Sequence, residues 1–263
     1  MIIVDGHAHI SASDFGTAEV LLEQLDRAGI ARALCVPGGM IDVRHFSRIL
    51  TGRLQPDPNI PNHLVYDALA RRGERLHGLV CVNPREGARA VEMMREGFGH
   101  GCRGVKLAPL VHRFSFAEPV LEEIAAGCAE RGFPVYSHVL PAPGSTTADY
   151  AALARRCPAT NFILGHMGFG PGDSDAIDFA AELENLYLET SLGNYLILRD
   201  ALDRLGPRKL IFGSEFPLGH PKAELENVLL LDPAAHPAIL AGNILRLIGL
   251  AAEESYAAGP ATA

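Results

Sequence analysis

The chain begins MIIVDGHAHI, and Asp5, His7 and His9 stand at the end of its first apolar run. Polar groups in such a place cost free energy unless something satisfies them. On a strand, residues i and i+2 face the same way, so His7 and His9 point together while Ala8 faces the other side. Similar placements recur further along: Lys106 in GVKLA, His138 in VYSHV, His166 in LGHMG and Glu215 in IFGSEFP. In GVKLA the flanking Val105 and Leu107 oppose Lys106, and in VYSHV Tyr136 and His138 oppose Val135 and Ser137. Four imidazoles, one amine and one carboxylate thus end apolar runs. Two or three His plus one carboxylate, with a position left for water, is the composition of a catalytic zinc site. Imidazole also accepts Mn, Fe, Co or Ni. An ion of this kind lowers the pKa of a bound water to about 7 and polarises a carbonyl.

These residues need a scaffold that gathers strand ends. Eight short apolar runs are spaced along the chain, at 2–9, 32–37, 77–84, 103–109, 133–139, 161–168, 186–191 and 209–217. Amphipathic stretches of helical period lie between them, for example 17–29, 86–101 and 117–132. Several of these end in glycine, as helices often do: Gly29, Gly73, Gly101, Gly132 and Gly206. Eight strand–helix units at this length predict an α/β fold, a single-domain (β/α)8 TIM barrel over 1–250. A doubly wound open sheet is the alternative, but no GxGxxG follows the first run. The stretch 237–250 is expected as a helix on the barrel exterior, and 251–263 as a frayed tail. The segment from Gly38 to about Asn59 reads as a long loop above the C-terminal face, where barrel chemistry resides.

Composition narrows the function classes. Lys plus Arg number 23 and Asp plus Glu 31, a formal charge of −8, which argues against nucleic acid or an anionic membrane as partner. The five cysteines show no CxxC, which disfavours a disulfide framework or a thiolate zinc site. Neither a signal peptide nor a membrane-spanning run is evident, so a cytoplasmic location is expected.

Taken in order, VDGHAHI, RGVKLAP, VYSHV, LGHMG, IFGSEFPLG and the closing GNILRLIGL resemble the amidohydrolase superfamily over essentially 2–250. Within it, the similarity is to the amidohydrolase-related group of hydrolases and non-redox aromatic decarboxylases. The resemblance implies His7, His9 and His138 as metal ligands. It places His166 beside the metal, as a ligand or an acid/base that orients water. Position 215, usually Asp in the family, would ligate metal and move a proton; here it is Glu, whose extra methylene sets the carboxylate about 1.5 Å further out. A strand-four lysine bridges two metals in some members, but the group most resembled implies one ion and an unmodified Lys106 that binds substrate. Asp5 is expected to support a ligand rather than to be one.

Around these, Arg44 and Arg48 lie one helical turn apart and form either an anion clamp or a solvated face. His112 and Arg113 follow the fourth run at the same mouth, and His220 is a further candidate there. Ser137, Thr190 and Ser191 read as structural, since no GxSxG accompanies them. The sequence therefore predicts a metal-dependent hydrolase with zinc favoured. It would cleave an amide, ester or lactone of a small carboxylate-bearing substrate through a metal-activated water, with Glu215 or His166 taking the proton. Non-oxidative decarboxylation of an aromatic or unsaturated acid is the alternative on the same scaffold, and a non-catalytic ligand-binding barrel is the third. The expected partner is a small molecule, with a homo-oligomer open.

Overall fold

The computed structural model describes residues 1–170 and 172–250; the tail expected at 251–263 lies outside them. Among the described residues, nine parallel strands run β1 (Val4–Ile10), β2 (Arg32–Pro37), β3 (Leu76–Gly78), β4 (Val80–Val82), β5 (Val105–Leu107), β6 (Val135–Ser137), β7 (Phe162–Leu164), β8 (Leu186–Glu189) and β9 (Leu210–Ile211). Eleven α-helices accompany them in the described residues: α1 (Ala18–Ala28), α2 (Phe46–Leu50), α3 (Asn62–Arg72), α4 (Ala88–Gly99), α5 (Pro109–His112), α6 (Val120–Ala129), α7 (Thr147–Arg156), α8 (Ser174–Glu182), α9 (Tyr195–Leu205), α10 (Pro221–Leu229) and α11 (Asn243–Leu247).

The strands form two sheets, β1-β2-β3 and β4 through β9 in sequence order. The third apolar run is therefore two strands, broken at Leu79, with β3 pairing back to β2 and β4 forward to β5. Leu79 N–H still donates to Cys35 O at 2.9 Å and so spans the break. At the other seam, Gly6 N–H reaches Phe212 O and His9 N–H reaches Phe216 O, both at 2.7 Å. A β-carbon on Gly6 would stand 2.7 Å from Phe212 O, so this close approach requires glycine. These contacts complete the ring of the single-domain TIM barrel.

Strand alternation sorts the side chains as the sequence predicts. Ala8, Val105, Leu107, Val135 and Leu164 face the helices, where they join Leu21, Leu121 and Ile177 in the outer core. Leu34, Leu79, Tyr136, Ile163, Tyr187 and Ile211 fill the interior. The C-terminal segment departs from expectation. Ala241, Ile244, Leu245, Leu247 and Ile248 pack with this interior cluster rather than on the exterior. The reason is that Val4, Leu34 and their neighbours leave an apolar floor, which α11 and the π turn at Ala238–Gly242 cover.

Helix ends follow local rules. Thr17 accepts from Val20 N–H at the start of α1, and Gly29 ends that helix at φ 70°. Gly73, in contrast, keeps a right-handed φ of −60°. The long segment after β2 is not structureless, since it folds into a 3-10 turn at Val43–His45 and α2. No single described helix is long and apolar enough to cross a membrane.

One buried acid ties the seam. Asp5 accepts His7 N–H at 3.0 Å, Ser214 N–H at 2.9 Å and Ser214 Oγ–H at 2.5 Å. Asp5→Ala strands these three donors where water cannot reach them. We expect a loss of about 3 kcal/mol in urea unfolding of the metal-free protein, with little change in the denaturant slope. A loss below about 1 kcal/mol would show that the tie does not hold the seam.

Candidate active site

β1 carries His7 and His9 to the C-terminal end of the ring, and a register shift between Asp5 and Ala8 turns them toward the axis. The chain after β9 returns over the same end. There Glu215 adopts φ 54°, an unusual value for a non-glycine residue. Two contacts hold it: Glu215 N–H donates to His7 O at 2.9 Å, and Asp5 grips the preceding Ser214. As a result, Glu215 Oε2 lies 2.5 Å from His7 Nε2, 3.4 Å from His9 Nε2 and 3.8 Å from His166 Nε2. One donor atom from each of His7, His166 and Glu215 falls within 4.8 Å of the other two.

The donor chemistry fits a divalent ion. His7 Nδ1 and Nε2 and Glu215 Oε2 are buried without a hydrogen-bond partner, the close His7–Glu215 approach lacking hydrogen-bond alignment. Burial and the Lys106 charge push His7 well below the ordinary imidazole range, and burial, Lys106 and His166 do the same to His138. Burial alone would raise Glu215, but the imidazoles of His9, His7 and His166 outweigh it and hold the carboxyl well below its usual range. Neutral imidazole beside ionised carboxylate is the protonation state that a metal requires of its ligands.

His138 faces the same cavity, but its Nε2 accepts Leu110 N–H at 3.2 Å. That N–H belongs to the first turn of α5 and has no partner within its helix. The donor atoms that converge are accordingly those of His7, His166 and Glu215, with His9 next to Glu215 and His138 held by α5. Asp5 supports the cluster through the backbone of His7, not through an imidazole N–H.

Lys106 projects inward from β5, nearly buried, with Nζ 4.0 Å above the Tyr136 ring and no hydrogen-bond acceptor. Tyr136 in turn stacks on His7, with centroids 4.4 Å apart. Burial drives the Lys106 amine down to about 8 despite the opposing pull of Glu215.

A cavity of about 290 Å³ opens above these groups. His9, Lys106, His138 and Glu215 line its floor, and Phe15, Met40, Ile41, Phe46, Val111 and Leu218 line its walls. Of the two readings of the arginine pair, the clamp does not assemble in the structure. Arg44 borders the cavity but grips Asp42 at 3.0 and 2.8 Å and lies over Phe15. Arg48 is exposed and outside the lining, because the turn between the 3-10 segment and α2 separates the two. His112 is buried in α5 with both ring nitrogens unpartnered, and Arg113 donates to Gln55 Oε1 at 2.6 Å; neither lines the cavity. His220 caps α10, accepting Lys222 N–H.

Sequence reasoning missed Glu189. This fully buried acid at the end of β8 accepts hydrogen bonds from Tyr136 Oη and His166 N–H. Alternation along LYLE would have found it, since Tyr187 faces inward and Glu189 is two residues on.

A family model described as amidohydrolase matches residues 4–250. No curated protein matches the chain. Among solved structures, a TIM-barrel protein of Bordetella bronchiseptica is 19% identical with a TM-score of 0.75, over 95% of this chain and 99% of that one. A probable 2-pyrone-4,6-dicarboxylic acid hydrolase of Acinetobacter baumannii, with citric acid bound, is 17% identical with a TM-score of 0.70, over 95% and 100%. A dihydroxybenzoic acid decarboxylase of Polaromonas, with bound manganese and the inhibitor 2-nitroresorcinol, is 17% identical with a TM-score of 0.68, over 97% and 99%. At these identities the likeness establishes the fold.

Lys106 yields a prediction with a definite sign. Its amine falls from 10.5 to about 8 on folding, so the unfolded chain binds more protons across that window and stability rises with pH through it. Lys106→Met removes this dependence. Thermal and urea unfolding should show the variant more stable at pH 7, by about 3 kcal/mol, with the gap closing toward pH 10. A variant less stable at pH 7 would mean that the ammonium has a partner.

Proposed function

We propose, on the premise that this chain belongs to the amidohydrolase family, that it is a metal-dependent hydrolase of a small carboxylate-bearing amide, ester or lactone. The observation that carries this reading is the convergence of His7, His166 and Glu215, with His7 Nε2 and Glu215 Oε2 buried without a hydrogen-bond partner. These residues would hold one divalent ion, with His9 adjoining and His138 beside them on the cavity floor. Zinc suits the two-imidazole, one-carboxylate set, and manganese, iron, cobalt and nickel are also compatible. Once bound, such an ion supplies a water acidic near neutral pH and a Lewis acid for a carbonyl.

The chain's own groups account for the remaining steps. Glu215, ionised and lodged among imidazoles, takes the proton of the attacking water. Glu215 then passes that proton to the leaving group, and His166 stays beside it as a ligand, its Nε2 3.8 Å from Glu215 Oε2. Lys106 meets the substrate carboxylate or the developing oxyanion, the acceptor that its buried Nζ lacks within the protein. The apolar walls formed by Phe15, Met40 and Leu218 hold the substrate body and exclude water.

The same walls favour a second reading. An apolar cavity with one buried amine also suits an unsaturated acid that loses CO2, with a protonated group delivering H+ to carbon. Two assays on one zinc- or manganese-loaded preparation separate the readings: hydrolysis of carboxylate-bearing lactones, esters and amides, and CO2 release from aromatic acids. We expect hydrolysis, lost on chelation and restored by metal. Glu215→Gln should lower kcat by about 10²–10⁴-fold. CO2 release alone would replace hydrolysis with decarboxylation. A chain that binds no metal, and is unaffected by His7→Ala, would leave only a ligand-binding barrel.

A further inference from the structure

The Glu189 carboxylate is fully buried beside the converging cluster, and its oxygens accept four hydrogen bonds. Tyr136 Oη–H reaches Oε2 at 2.7 Å, and His166 N–H reaches the same oxygen at 3.2 Å. Ser191 N–H reaches Oε1 at 2.6 Å, and the Ser191 hydroxyl lies 2.8 Å from Oε2. The room for this carboxylate comes from Gly213, where a β-carbon would stand 2.3 Å from Oε1. The same Ser191 Oγ lies 2.8 Å from His166 Nδ1.

Proton counting decides what that serine does. A hydroxyl has one proton and two lone pairs, whereas an ionised carboxylate only accepts. Between a carboxylate and an imidazole nitrogen at equal distance, the Ser191 proton goes to Glu189. The opposite choice would set oxygen lone pairs against each other in a dry interior. Ser191 Oγ can then offer His166 only lone pairs, so Nδ1 must carry the ring proton.

We propose that Glu189 and Ser191 are positioning residues that fix His166 as the Nδ1–H tautomer and leave its Nε2 lone pair aimed at Glu215 and the candidate metal position. Glu189 acts on both parts of His166. It accepts the N–H of a residue held at φ 61°, and through Ser191 it sets the ring. A hydroxyl interposed between acid and imidazole also makes the ring orientation depend on a single proton's direction. The proposal rests on the reading that His166 serves the metal cluster, but tautomer and metal affinity are measured separately.

The experiment uses the full chain, metal-free and labelled with 15N-histidine. Long-range 15N–1H spectra report which ring nitrogen of His166 is protonated, and calorimetry with Zn2+ alone reports affinity. Wild type should show Nδ1–H. Ser191→Ala, which removes the acceptor, should shift His166 toward a mixture with Nε2–H and weaken Zn2+ binding about tenfold or more. Ser191→Thr, which keeps the hydroxyl, should restore both. If Ser191→Ala does not fold, Glu189→Gln takes its place. Its amide can donate to Ser191 Oγ, which frees the hydroxyl to donate to Nδ1 and moves the ring proton to Nε2. An Nε2–H signal in wild type overturns the proposal, as does a tautomer unmoved in Ser191→Ala, or in Glu189→Gln where that replaces it. A tautomer that shifts as stated in a chain binding no Zn2+ would sink the metal reading and leave the positioning pair standing.

Discussion

The Asp5 carboxylate is the constraint on which the site depends. It lies on the first strand and holds the chain that leaves the last one, so a single buried acid closes the ring and sets the spacing between His7 and Glu215. Burial raises its carboxyl to about 7, against the pull of its Ser214 and His7 donors. Three donors on two oxygens leave little freedom in the direction of the peptide between Ser214 and Glu215. That rigidity accounts for the left-handed φ at Glu215, a conformation that costs on the order of 1 kcal/mol or more for a side chain of this size. Glu215 meets the cluster with its backbone N–H held on His7 O.

Around this frame the site concentrates groups that its own protein does not satisfy. Lys106 has a ring beneath it but no acceptor, and His7 has a carboxylate at contact without hydrogen-bond alignment. Such groups lower native stability, and they persist where function requires an external partner. The surrounding acids are treated differently. Glu189 and Asp5 are saturated with donors and serve to aim their neighbours. Saturated acids behind unsatisfied ligands are the arrangement expected of a binding centre backed by a rigid support.

Much of this could be read from residue order. Alternation along β1 and β5 put His7, His9 and Lys106 inside and Ala8, Val105 and Leu107 outside, as found. Elsewhere a contact that periodicity does not show decided the outcome. The third run splits at Leu79 because its halves pair with different strands, which no local pattern encodes. Arg44 turned to Asp42, two residues away, before it could reach a ligand. His138 met the free N–H of a four-residue helix too short to show a period. The closing segment has the amphipathy of an exterior helix, yet the floor of the ring was the larger apolar surface to cover. Ser191 lacked any nucleophile motif, and its hydroxyl is placed between Glu189 and His166 instead.

The Arg113–Gln55 bond joins the turn after α5 to the excursion after β2, linking two of the connections that wall the entrance. On the proposed reading, the reacting groups come from strand ends, while the walls come from connections that can lengthen or change composition without moving a strand. Selectivity and reactivity are thus inherited on separate stretches of chain. Descendants could trade one preferred molecule for another by revising residues 38–61 and 108–116, with the chemistry beneath left as it was.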